Sequence, residues 1–203
     1  IKNEFKATKV ESVDVSDYEE ATYLQDLNKP WTCQELIKQK YKSILDLGTI
    51  EHVFNVTQAL DSIANACEIG GQIIHVQNHS DFCGHGFWQF SAELFFSWYS
   101  EENGFKDLEI FIAPNKNPNL WFRCIKPKKG DRCDLTGMKV PQSEILVKAV
   151  KFKDVSVRSC QQSDYLYAWN KKLDSNNSEN RINKRTIISK LKKLIPKKIK
   201  IIL

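Results

Sequence analysis

The chemistry open to this sequence gathers at a few positions. His52 follows Glu51 directly after the run Ile44-Leu45-Asp46-Leu47-Gly48-Thr49-Ile50, and His85 stands between two glycines in Phe82-Cys83-Gly84-His85-Gly86-Phe87-Trp88. Imidazole titrates near neutrality, so both are candidate general bases for taking a proton from an oxygen or nitrogen. The glycines beside His85 let backbone approach a bound molecule closely. Each histidine also has a structural reading: His52 as a helix-start residue bonded to backbone, His85 as a loop-stabilising hydrogen bond. Glu51 could orient His52 or favour a helix amino end electrostatically. Phe87, Trp88 and Phe90 are candidates to line an acceptor pocket, although aromatics in such a run commonly pack inward. His79, Cys83 and His85 follow a His-x3-Cys-x-His spacing, which is not a usual zinc arrangement and has no clear fourth ligand. No metal centre is expected.

Two acids complete the set. Asp14 closes the expected strand Lys9–Val15, where one carboxylate can accept hydrogen bonds from both hydroxyls of a ribose; an acid there can equally serve a turn. Asp26, in Gln25-Asp26-Leu27-Asn28, is either a turn former or a polar hold on the edge of a base.

These residues need elements to position them. Ala21–Leu24 reads as a weak strand, and Trp31–Gln39 as a helix opened by the capping-box spacing Thr32-x-x-Glu35. Tyr41–Leu47 is apolar enough for a strand buried on both faces. Val56, Ala59, Leu60, Ile63, Ala64 and Cys67 form one helical stripe, with Asn55 as its cap and Gly70-Gly71 as its stop. Gln72–Val76 is the next strand. Ser91–Asn103 is a helix presenting Ala92, Phe95, Phe96 and Tyr99, closed by Gly104. Strands then follow at Leu108–Ala113, Leu120–Ile125 and Ile145–Phe152, and Gln161–Trp169 reads as either strand or helix. A strand-loop-helix-strand order builds a parallel sheet, and the polar loops at its carboxyl edge are where such sheets bind ligands.

Composition narrows the class. The chain of 203 residues is 41% hydrophobic and 11% aromatic, enough for a packed core. Its six cysteines contain no Cys-x-x-Cys, so a reducing compartment without a disulfide framework is expected. Asn-x-Ser/Thr triplets begin at Asn55, Asn78 and Asn176, but Ile1–Lys9 lacks an apolar leader, so they read as chance matches. The net charge of +5 is uneven: residues 171–203 hold 11 Lys or Arg against 2 acids, leaving −4 on residues 1–170. An acidic body speaks against a nucleic-acid surface, and no nucleic-acid partner is expected. The chain divides into a body (1–170), a polar linker (171–183) and a basic amphipathic tail (184–203). Ile187, Ile188, Leu191, Leu194 and Ile195 share one face of that tail, with lysines around them. Such an end suits an anionic membrane surface, or docks on the acidic body. A cytoplasmic location is expected, with peripheral contact at the inner face of a membrane through 184–203.

Four segments, in order, resemble class I S-adenosylmethionine-dependent methyltransferases across roughly residues 10–112. Asp14 matches the acid that holds ribose, and Asp26 with Leu27 the pair that meets adenine. Asp46-Leu47-Gly48-Thr49-Ile50-Glu51-His52-Val53 resembles the motif whose backbone, here Gly48 and Thr49, lies against the methionine part. Ile69-Gly70-Gly71-Gln72-Ile73-Ile74-His75 resembles the entry to the fifth strand. Phe82–Phe95 is similar to a narrower subgroup found with surface-polysaccharide genes. The resemblance implies an α/β, Rossmann-like sheet with antiparallel C-terminal strands and S-adenosyl-L-methionine as cofactor. It implies methyl transfer to a small-molecule or saccharide acceptor in cell-envelope polysaccharide biosynthesis, with His52 and His85 as the catalytic bases. The family's first strand and its Gly-x-Gly turn would precede Ile1, so the sheet is expected to be truncated at its N-terminal side, leaving backbone groups unpaired. A cofactor-incompetent binding or scaffold module is the alternative.

Overall fold

The computed structural model describes residues 7–117, 119–128, 131–133 and 142–174. In chain order the elements are β1 (Val13–Asp14), β2 (Tyr23–Leu24), α1 (Gln34–Lys38), β3 (Tyr41–Leu47), a single 3-10 turn (Ile50–His52), α2 (Val56–Ala66), β4 (Cys67–Ser80), α3 (Ala92–Trp98), β5 (Phe105–Pro114), β6 (Phe122–Cys124), β7 (Ser143–Lys151) and α4 (Ser163–Asp174).

Five strands form one sheet in the order β3-β4-β7-β5-β6. β3 and β4 are parallel, and α2 makes the crossover between them. β7 is antiparallel to both β4 and β5, so β5 points the same way as β3 and β4, while β6 runs against β5. The result is an α/β, Rossmann-like mixed sheet with its antiparallel strands toward the C-terminal end, as the sequence leads one to expect. β1 and β2 form a separate parallel pair. β3 pairs only with β4, and no described strand takes its other edge.

Alternation decides which face is covered. Along β7, Ser143, Ile145, Val147, Ala149 and Lys151 are buried, and the residues between them are half-buried or exposed. That buried face, with Ile73, Ile110 and Ile112, packs in one core with Ala59, Leu60, Ile63 and Ala64 of α2 and with Ala92, Phe95 and Phe96 of α3. Phe95 and Phe105 are fully enclosed there, each contributing about 1.5–3 kcal/mol by burial.

The ends of α2 show how distant residues shape local structure. Asn55 caps it as expected, its side chain accepting from the Gln58 N–H at 3.3 Å. The helix does not run to Gly70-Gly71. It ends at Ala66 because the buried Lys151 ammonium, reaching over from β7, donates to the carbonyls of Ala64 (2.9 Å) and Cys67 (2.8 Å). The chain then enters β4 at once, and the two glycines lie inside that strand at a shift in its pairing with β3. A Cβ on Gly71 would sit 3.0 Å from the Lys42 carbonyl oxygen.

Other expectations are corrected. β3 is not buried on both faces: Asp46 is its one buried residue, because the strand lies at the sheet margin. The capping box does not form. Cys33 occupies the cap position of α1 without a side-chain bond to the helix backbone, and the Thr32 N–H and hydroxyl both go to the Gln25 Oε1. α3 is shorter than Ser91–Asn103, since turns replace its last part, and Gln161–Trp169 resolves as helix. No disulfide joins the six cysteines. The chain divides into two compact units between Tyr167 and Ala168. Residues 171–174 of the expected linker continue α4, while the rest of it and the whole tail 184–203 lie outside the described residues. No described helix is long and apolar enough to cross a membrane.

Candidate functional site

The carboxyl ends of β3 and β4 are organised by one carboxylate. Asp46 and His75 are direct register partners on the buried face of this parallel pair. Asp46 Oδ2 accepts from His75 Nδ1 at 2.5 Å, and His75 Nε2 meets the Tyr99 hydroxyl at 2.5 Å. Burial pushes the Tyr99 phenol well above its ordinary pKa. The second Asp46 oxygen receives the N–H groups of Thr49 (3.2 Å) and Ile50 (3.4 Å), which opens the 3-10 turn. Gly48 makes the bend in the left-handed region (φ +83°) while its N–H extends the ladder to Val76.

The 3-10 turn ends on Glu51 and His52, and the loop 81–90 folds down on it. The N–H groups of Phe87 (2.7 Å) and Trp88 (3.3 Å) both reach the Glu51 carbonyl, and the Trp88 indole donates to the Val53 carbonyl (2.9 Å). Gly86 permits this approach: a Cβ there would lie 2.8 Å from the Glu51 carbonyl oxygen. The loop carries His85 to the turn, with its ring edge-on to His52 at 4.9 Å between centroids. His85 Nε2 is 4.0 Å from Glu51 Oε1. Both histidines are exposed, whereas Glu51 is 3% exposed and its Oε2 has no hydrogen-bond partner. Burial pushes the Glu51 carboxyl up, and a hydrogen bond from its own backbone N–H, followed by the two histidines, partly offsets this.

Phe54, Phe87 and Trp88 are exposed, Phe54 meeting Phe87 edge-on at 5.7 Å and Trp88 at 6.3 Å, while the ring beside His85 is Phe82, at 6.0 Å. Phe90 departs from its expected place: it is buried in the core against Phe95.

The acids fall on adjoining loops. Asp14 pairs with Leu24 across β1 and β2, and the N–H of Gln25, one residue before Asp26, bonds the Asp14 carbonyl. Asn28, two residues on, holds the Asn55 backbone N–H through its Oδ1 (2.9 Å), tying this loop to the start of α2 just beyond His52. The link from the Asp14 and Asp26 loop thus reaches Asn55, three residues past His52, and Leu27 packs against the core. The carboxylates also do the turn chemistry that was the other reading. Asp14 Oδ1 accepts from Ser16, while its Oδ2 takes no hydrogen bond among the described residues. Asp26 Oδ1 accepts from Asn28 and its Oδ2 pairs with Lys29; these bonds hold its pKa below the ordinary value. His79 is apart from this set, bonded to the Phe90 carbonyl and lining a cavity of about 290 Å³ with Ser91 and Glu93.

Sequence reasoning missed His75, Tyr99 and Phe54. His75 was visible only as an out-of-place polar residue within an apolar strand. Phe54 differs from a core aromatic only in following Val53 directly into the polar cap of α2.

No family model matches the chain, and no curated protein matches it. Among solved structures the chain is similar to a "putative methyltransferase" from Bacillus halodurans C-125, with a TM-score of 0.43 and 16% identity over 75% of this chain and 86% of that one. A likeness of that size carries neither fold nor chemistry across.

Proposed function

We propose that the chain is the catalytic region of an S-adenosyl-L-methionine-dependent methyltransferase acting on an oxygen or nitrogen of a small or saccharide acceptor. The observation that supports it most is the position of Gly48-Thr49 at the carboxyl end of β3, in the segment that carries His52, edge-on to His85, and Asn55, which the Asp14 and Asp26 loop reaches. The order of the four resembling segments agrees with that position.

The residues present fit the adenosine side of such a cofactor. Asp14 keeps one carboxylate oxygen for ribose hydroxyls, and Asp26 with Leu27 offers a polar and an apolar contact for the base. The backbone at Gly48 and Thr49 would take the methionine side. When bound, the cofactor supplies a methyl group on a cationic leaving group, so alignment and exclusion of water account for most of the rate. His52 and His85 orient the nucleophile of the acceptor and receive its proton. Phe54, Phe87 and Trp88 give an acceptor an exposed apolar surface on the segments that carry His52 and His85, which suits the face of a sugar ring.

Calorimetric titration with S-adenosylhomocysteine tests this reading. Saturable binding is expected, weakened about tenfold or more by Asp14→Ala, a loss of about 1.4 kcal/mol. Absence of heat would reject the enzyme reading and leave the binding-module alternative. A place in cell-envelope polysaccharide biosynthesis, in the cytoplasm, follows from the narrower resemblance and from the tail. Its lysines each add about 1 kcal/mol at an anionic surface. The full chain should co-sediment with anionic liposomes and a form ending at residue 183 should not; equal partitioning removes the membrane contact.

A further inference from the structure

We propose that Glu51, His52 and His85 form a binding site for a late first-row divalent cation of the zinc class. The site goes beyond methyl transfer and does not depend on it, because it requires only three side chains and the loops that hold them.

The three are brought together by the fold and not by their spacing, since His85 lies far along the chain from Glu51. One ligand atom from each falls within 4.8 Å of the other two. Donors sharing one ion at the usual Zn–N and Zn–O lengths lie roughly 3.0–3.5 Å apart. The observed set is therefore a slightly opened version of a filled one. The closing movement belongs to His52 and His85, whose exposed side chains can rotate, while Glu51 stays fixed.

Glu51 provides the independent sign that something is bound. Its side chain is 3% exposed and Oε2 meets no donor, while Oε1 is the oxygen that faces His85, 4.0 Å from Nε2. Leaving a buried carboxylate oxygen unmet costs free energy that a structural acid would avoid by pairing. Its nearest charged neighbours are Asp46, which repels it, and the two histidines. A cation held by Oε1 and both imidazoles would neutralise this buried carboxylate. The backbone is already fixed for the purpose: Phe87 and Trp88 clamp the Glu51 carbonyl, and Gly86 lets the His85 loop lie against it.

Two nitrogens and one oxygen select zinc, cobalt or nickel over magnesium or calcium, which prefer oxygen alone. Three protein ligands leave at least one position open to water or to an acceptor hydroxyl. In the loaded protein the two imidazoles bind through their lone pairs, and the cation polarises the bound oxygen in their place.

Titration of the whole chain with Co²⁺, followed by visible absorption, tests the site directly. One equivalent should bind with ligand-field bands of a nitrogen and oxygen set, and Zn²⁺ should displace it. Glu51→Gln and His85→Gln should each weaken binding by about tenfold or more, a ligand being worth at least as much as a supporting contact. His85→Gln lies at an exposed position and leaves the fold intact, so its result stands even if Glu51→Gln proves unstable. Cys83→Ser and His79→Gln should bind as the parent does. Failure of the parent to bind, unchanged binding in His85→Gln, or loss of binding in Cys83→Ser would each overturn the assignment.

Discussion

Replacing Asp46 by alanine should lower stability by about 3–5 kcal/mol, the usual cost of removing one member of a buried, hydrogen-bonded set. The change strips the buried His75 Nδ1 of its acceptor and leaves the Ile50 N–H, also buried, and the part-buried Thr49 N–H without theirs. It also frees the turn that carries Glu51 and His52. Tyr99→Phe should be milder, about 1 kcal/mol, since it removes one hydroxyl and keeps the ring between Phe95 and Phe105. Denaturant midpoints at constant slope would report both. An Asp46→Ala loss below about 1 kcal/mol would mean that the chain from Asp46 through His75 to Tyr99 does not hold this edge together.

The second large effect is expected at Gly86. Alanine there must adopt a φ near +71° and place its Cβ 2.8 Å from the Glu51 carbonyl oxygen, so the loop has to lift. Gly84→Ala is the matched control, with φ +87° and nothing within 4 Å of the added carbon. The control should lose about 1 kcal/mol, the ordinary cost of a left-handed residue. Gly86→Ala should lose about 2–3 kcal/mol and release the Phe87 and Trp88 bonds to Glu51. Trp88 fluorescence should shift in Gly86→Ala alone. Equal losses in the two variants would show that the contact with Glu51 is not what positions His85.

What could be read from the sequence was what depends on neighbours a few residues apart. The helical stripe of α2, its Asn55 cap and the Asp-x-Gly-Thr turn after β3 are local patterns, and the structure contains them. The end of α2 was not legible, because the group that completes it is Lys151, on a strand much later in the chain. The capping box failed for a similar reason: Gln25 holds Thr32 before Thr32 can turn to the helix. Within the candidate site, the Gly-His-Gly loop announced a close approach, but not that Glu51 would be what it approached. The pairing of Asp46 with His75 is a fact of register between parallel strands, and no local pattern encodes it.

The one-sided pairing of β3 has a consequence for water. Because the Gly48 N–H points to β4, strand alternation aims the Asp46 backbone inward too, and the Gln77 side chain bonds the Asp46 carbonyl there. The amides of Ser43, Leu45 and Leu47 then face outward along an open margin, in a stretch that also exposes Leu47. Deuterium would enter every second position of this strand quickly and the others slowly. A strand edge that no described strand pairs is also a surface whose polar backbone stands to gain from a partner.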